Sequence, residues 1–225
     1  MNMILHKPHV LMISEITADG KLTLKRGASS KILMKHMSQE ATILLHETRA
    51  AYDAIMVGSS TIKIDNSFLT VRMVPGISPL RVIPSSMADI PLNANVLDVS
   101  VVPTVVAVSA AAPVDRVASL RKKGVFVVVA GEEMVDLPVL MDILYRKFSV
   151  RKLIVEGGPT LNWHMLYHHL VDEIRLIHLP FIVGGTDTPS LVGGMHVDSE
   201  EQMIRLELSE MRMVGTNLVT EYRVL

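Results

Sequence analysis

The sequence contains no cysteine. That removes disulfides, thiolate metal sites and a cysteine nucleophile together, and it predicts a reducing, cytoplasmic setting. An excess of either charge is also missing, since Lys plus Arg number 22 and Asp plus Glu 23. No basic surplus points to nucleic acid, and no acidic tail points to a solvating role. Long apolar runs are absent. The longest, such as 101–108 and 125–130, fall well short of the roughly 20 residues that span a bilayer, so no membrane partner is expected. Within residues 1–8, His6, Lys7 and Pro8 break up any signal-peptide core. Repeats, low-complexity tracts and linkers are missing as well, which predicts a single domain over 1–225. Aromatic residues are scarce, with 15 methionines against four phenylalanines, and the expected consequence is a Met-packed core.

What is present reads as a globular α/β chain: 225 residues, 49% hydrophobic and 20% charged. Short β-branched runs at 10–14, 54–57, 80–83, 101–108, 125–129, 153–155, 174–179 and 218–224 predict strands. The last alternates in period two, as an antiparallel strand at or near a sheet edge does. Helical spacing lies between them. Ser38 is a good N-cap for a stripe of Ala41, Leu44, Leu45 and Thr48. Asp136 caps a stripe of Leu137, Leu140, Met141 and Leu144, with Pro138 tolerated in the first turn. A shorter helix is expected from Asp115 to Lys123, stopped by Gly124, and another over 161–170. Strand and helix alternate through the middle and strands dominate the end, which predicts a mostly parallel central sheet with antiparallel C-terminal strands.

The strongest local signal is 153–161, LIVEGGPTL, where an apolar strand runs into two glycines and then a helix. Glycines there let backbone approach a ligand, and the helix N-terminus offers unpaired N–H groups and a positive dipole end to a phosphate. An ordinary tight loop has the same spacing, and the segment is neither GxGxxG nor a Walker loop. A second strand, 53–61, ends in small and hydroxyl residues and leads to Asp65 and to Leu69–Arg72. Arg49 and Arg72 suit an anionic group, because a guanidinium fork matches phosphate oxygens, and are also ordinary surface residues. The Thr17–Lys21 segment holds an Asp-Gly turn. Lys25–Lys31 is basic and hydroxyl-rich, either a phosphate cradle or a solvated loop. His164, His168 and His169 lack a third ligand or an HExxH pattern, so no metal is expected.

Taken in order, these segments resemble the pyrimidine reductases of riboflavin biosynthesis. The family pattern runs as (S/T)xDGK, RAxxDA(I/V)xVG, GxxT(I/V/A)xxD(D)PxL(T/N)VR, VEGG(P/G)TL and Px(I/L)xGG. Here the matches are Thr17–Lys21, Arg49–Gly58, Thr61 with Asp65, Leu69–Arg72, Val155–Leu161 and Pro180–Gly185. Residues 91–97 and 161–163 resemble the stand-alone archaeal branch in particular, and coverage is nearly the whole chain. The resemblance implies a dihydrofolate-reductase-like three-layer fold, a homodimer, and NADPH as hydride donor, with NADH as the alternative. The implied reaction reduces the ribosylamino side chain of a diaminopyrimidinone 5′-phosphate to ribitylamino. By the same resemblance Thr61, Asp65, Ser85, Ser86, Gly157, Gly158, Pro159 and Thr160 contact cofactor, while Arg49, Leu69, Arg72 and Glu156 line the substrate site.

Three departures bear on substrate identity. The family's Asp-Asp-Pro is Asp65-Asn66-Ser67, an Asp expected near the cofactor is Ser85, and the loop before Ser38, with its basic Lys25–Lys31 stretch, is longer than usual and different in composition. They keep open a reductase of the same fold for another heterocyclic or carbonyl substrate, and a nucleotide-binding protein without turnover. For the implied chemistry, opening the ribosylamine ring calls for a proton at the ring oxygen, and Glu156 is the carboxyl the motifs place near it. A purely orienting hydrogen-bond role for Glu156 is the alternative. The 5′-phosphate is expected on Arg49 and Arg72 or on the Lys25–Lys31 loop.

Overall fold

The computed structural model describes residues 6–225; part of the leader expectation for 1–8 therefore lies outside the described residues. In chain order the elements are β1 (His9–Thr17), α1 (Lys31–Met34), α2 (Gln39–Ala50), β2 (Ala54–Met56), α3 (Ser59–Asp65), β3 (Leu80–Pro84), β4 (Thr104–Val108), α4 (Val114–Lys122), β5 (Phe126–Val129), α5 (Leu137–Lys147), β6 (Lys152–Val155), α6 (Pro159–Tyr167), β7 (Glu173–Leu179), β8 (Leu206–Val214) and β9 (Asn217–Val224). No helix among the described residues is long and apolar enough to cross a membrane.

One sheet carries the fold, in the order β5-β4-β3-β2-β6-β1-β7-β9-β8. Pairing is parallel from β5 across to β7, and β9 runs antiparallel to both β7 and β8. Parallel strands are covered on both faces, which is why the Val- and Ile-rich runs do not alternate. One face packs Val10, Met12 and Val155 against Leu140 and Leu144 of α5 and Leu161 and Met165 of α6. The other packs Ile13, Ile55 and Ile154 against Ala41 and Leu45 of α2, Ile62 of α3 and Leu120 of α4. The result is the expected three-layer α/β arrangement with an antiparallel C-terminal addition.

Local chemistry sets the element ends. Ser38 Oγ accepts from the Ala41 amide and Asp136 from the Val139 amide, and Gly124 follows α4 in the left-handed region at φ +80°. The strand expected at 101–108 begins only at Thr104, because Pro103 has no N–H for the ladder. The helix expected over 161–170 runs from Pro159 to Tyr167 instead. Three elements escape the pattern. Helices α1 and α3 are short, and Gly58 at the start of α3 has no side chain to cap it. Strand β8, the sheet edge beside β9, is exposed along most of its length and carries a bulge between Leu208 and Glu210, so no burial pattern marks it.

Topology fixes where ligands gather. Adjacent parallel strands β2 and β6 send their connections opposite ways: α3 leads to β3 on one side, and α6 leads past β1 to β7 on the other. The two helices leave on opposite faces of the sheet, opening a crevice above the carboxyl ends of β2 and β6.

Candidate active site

A cavity of about 950 Å³ occupies that crevice. This is the upper end of the roughly 300–1,000 Å³ usual for small-molecule sites, and large enough for more than one ligand. Thr61 and Asp65 reach it from α3, Ser85 and Ser86 from the end of β3, and Glu156 through Thr160 from the end of β6. Arg49, Leu69 and Arg72 are not part of its wall.

The β6–α6 turn is held by its own geometry. Glu156 N–H donates to Met56 O at 3.0 Å and Gly58 N–H to Gly157 O at 2.9 Å, tying the two strand ends together. Gly157 has φ +87° and Gly158 φ +32°, regions that side chains avoid. A Cβ on Gly158 would stand 2.6 Å from Thr61 Oγ1. Gly158 and Thr61, distant in sequence, are thus packed together with nothing to spare.

Asp65 is buried. Ser30 Oγ donates to its Oδ2 at 2.9 Å and the Lys31 ammonium to its backbone carbonyl. Its Oδ1 is buried without a partner. A buried orphan acceptor is costly unless a ligand supplies the donor. Ser85 and Ser86 already accept from the amides of Asp89 and Val135. The Lys25–Lys31 segment is an ordered wall of the cavity: Thr23 Oγ1 donates to Ala28 O and Ser29 O, and Arg26, Gly27, Ala28 and Ser30 face the cavity.

Behind Glu156 lies a polar chain buried against α2. Arg49 Nε donates to Glu156 Oε1 and Nη2 to Oε2, both at 2.6 Å, and Nη1 donates to Thr70 O at 3.2 Å. Arg72 Nη1 donates to Thr70 Oγ1 at 2.6 Å, and its amide donates to His46 Nδ1 at 3.1 Å. His46 is pushed down to about 4, first by burial and then by the positive charges of Arg49 and Arg72. Leu69 is buried with φ +53° in the core below α2. Arg49, Leu69 and Arg72, expected at the substrate site, thus stand behind Glu156 and off the cavity wall in this structure. Arg49 orients Glu156 from behind, and Leu69 and Arg72 build the loop that holds Arg49.

The profile of the RibD C-terminal domain matches residues 8–220. The chain belongs to that family. It is 46% identical over 220 residues to the 2,5-diamino-6-ribosylamino-4(3H)-pyrimidinone 5′-phosphate reductase of Aquifex aeolicus, covering 98% of each chain. It is 42% identical to the reductase of the same name from Methanothermobacter thermautotrophicus, covering 97% of this chain and 99% of that one. Among solved structures, Acinetobacter baumannii RibD aligns with a TM-score of 0.80 at 21% identity, over 97% of this chain and 58% of that longer one. The Saccharomyces riboflavin biosynthesis reductase Rib7 aligns with a TM-score of 0.73 at 20% identity, over 97% and 90%. These likenesses carry the dihydrofolate-reductase-like fold.

Sequence motifs pass over two buried or half-buried polar residues of this RibD-domain chain, one on the cavity wall and one behind it. His46 is buried on α2 off the apolar stripe, and Glu15 sits in the largely apolar β1. Glu15 lines the cavity beside Glu156. The signal was available, since a carboxylate inside a buried parallel strand has a reason to be there.

Proposed function

We propose that this chain reduces the ribosylamino side chain of 2,5-diamino-6-ribosylamino-4(3H)-pyrimidinone 5′-phosphate to ribitylamino, a step of riboflavin biosynthesis, with a reduced nicotinamide dinucleotide as donor. The observation that carries the reading is the shared cavity at the β2/β6 switch point. It joins a glycine turn at a helix N-terminus to the carboxylates Glu15 and Glu156. The names of the 46% and 42% identical relatives support the substrate.

The residues fit the donor. Gly157 and Gly158 keep the turn free of side chains, α6 presents its N-terminal end and the Thr160 hydroxyl to phosphate, and the orphan Asp65 Oδ1 accepts from a bound hydroxyl or amide. When bound there, a dihydronicotinamide supplies a hydride equivalent. NADPH is the proposed form. Arg26 on the cavity wall is the cation placed for the substrate 5′-phosphate, now that Arg49 and Arg72 lie behind it. Glu156, fixed by Arg49, orients the substrate by accepting its hydrogen bonds. The protein is proposed to work in the cytoplasm as a homodimer, for which the exposed β8 edge, with Leu206, Leu208, Met211 and Met213, offers an apolar surface.

Purified protein mixed with the pyrimidine phosphate and NADPH or NADH, followed at the dihydronicotinamide absorbance, tests the reading. Consumption of reductant with formation of the ribitylamino product is expected. No consumption with either donor would overturn it.

A further inference from the structure

The proposed reduction needs an acid as well as a hydride, and the geometry around Glu156 bears on which residue it is. Both Glu156 oxygens accept from Arg49, so in this arrangement both are engaged by the guanidinium behind them. Glu15 stands on the neighbouring strand. In the β1–β6 register Met12 is level with Val155, which places Ile13 level with Glu156 and Glu15 two residues further toward the cavity. Its side chain is half-buried and lines the same cavity. Among the described residues no other residue donates to its carboxyl, the contact being with its own backbone amide.

We propose that Glu15 is the general acid of the reduction, delivering its proton to the ring oxygen of the ribosylamine. This rests on the substrate reading above. The step balances as follows. The Glu15 O–H bond breaks and a bond to the ring oxygen forms, while the bond from that oxygen to C1′ breaks and the exocyclic nitrogen lone pair makes a C1′–N double bond. Two electrons arriving as hydride at C1′ return that bond to single, leaving a ribitylamino chain with a new hydroxyl. Glu15 is left as a carboxylate and regains its proton from solvent through the open cavity.

The surroundings keep a proton available on Glu15. Its carboxyl is pushed up to about 7, first by burial, then by the charge of Glu156, with Arg49 pulling the other way. From β7 the level residue is Ile177, and the nearby Arg175 is engaged by Glu221 and Thr48. Across the cavity the charged or titratable wall groups are Arg26, Asp65, Asp187, His164 and His168. An acid near neutrality is the one best matched to proton delivery at neutral pH.

Steady-state kinetics against pH, together with a ¹³C NMR titration of the glutamate carboxyls in ligand-free protein, tests this. In the parent chain kcat should fall as pH rises past the Glu15 titration, and the NMR signal lost in Glu15→Gln should titrate near 7. Glu15→Gln should lower kcat by about 10²–10⁴-fold and lose that alkaline limb, with NADPH affinity by fluorescence unchanged within roughly two-fold. Glu15→Asp should recover part of kcat and move the limb. If the parent turns over and Glu15→Gln keeps kcat within about three-fold with the limb intact, the acid assignment falls and the function stands. A carboxyl titrating in the ordinary range also overturns the assignment. A parent chain that does not consume the pyrimidine overturns both.

Discussion

Arg49 and Glu156 form a two-bond ion pair in which each member is nearly excluded from solvent, with side-chain exposures of 7% and 11%. Breaking such a pair leaves a buried charge alone. Arg49→Ala should therefore cost about 3–5 kcal/mol in denaturant unfolding, while the paired change Arg49→Met with Glu156→Leu should cost less than Arg49→Ala alone. Equal losses in the two would mean the pair is not desolvated as described. On activity, Glu156→Gln should raise KM for the pyrimidine while lowering kcat much less than Glu15→Gln does.

Gly158 is constrained twice over, by φ +32° and by Thr61 Oγ1 at 2.6 Å from where its Cβ would lie. Gly158→Ala should lose roughly 1–3 kcal/mol of stability through backbone strain and contact, and should weaken NADPH binding by displacing α3 from α6. Adding Thr61→Ala removes the contact but not the φ, so the double variant should recover part of the stability. Full recovery would show that the backbone carries no strain there, and no recovery would show that the contact is harmless.

Much of this was legible before the fold was known, and the boundary of legibility has physical causes. The LIVEGGPTL segment announces itself because strand, glycine turn and helix follow one another locally, and the turn lies on the cavity wall. Ser38 and Asp136 announce their helices because capping is local chemistry. The pairing of Arg49 with Glu156 is not legible, because it is a contact 107 residues away in the chain. The place of Glu15 on the cavity wall is not legible, because it comes from β6 running beside β1, a pairing no periodicity encodes. Strand β8 was missed because an exposed, bulged edge has no burial pattern to read.

Asp65 brings a buried carboxylate oxygen with no donor to the cavity wall. A bound hydroxyl or amide would satisfy it, so the group should be worth more in the complex than in the free chain. Asp65→Ala should weaken NADPH about ten-fold or more, since losing a hydrogen bond to a charged group costs about 1.5–3 kcal/mol. Melting of the ligand-free protein should change far less. Titration calorimetry checks the first and a thermal melt the second. Unchanged affinity would remove Asp65 from the cofactor site.

Glu15 and His46 should pull stability in opposite directions over nearly the same pH range. Glu15 rises on folding, from 4.5 to about 7, so the folded chain holds the proton more tightly and stability declines as pH climbs through that window. His46 drops on folding, from 6.5 to about 4, so stability declines as pH falls through its window. Each shift has a ceiling of about 3.5 kcal/mol, at roughly 1.4 kcal/mol per pH unit. The two slopes oppose each other between 4.5 and 6.5. Each single variant should unmask the other slope. Glu15→Gln, left with His46, should gain stability as pH rises from 4 to 6.5 and exceed the parent most above pH 7. His46→Asn, whose side-chain oxygen can still accept from the Arg72 amide, should lose stability as pH rises from 4.5 to 7. Urea unfolding at stepped pH measures both slopes. Parallel profiles for the parent and the two variants would show that neither group titrates differently in the folded chain.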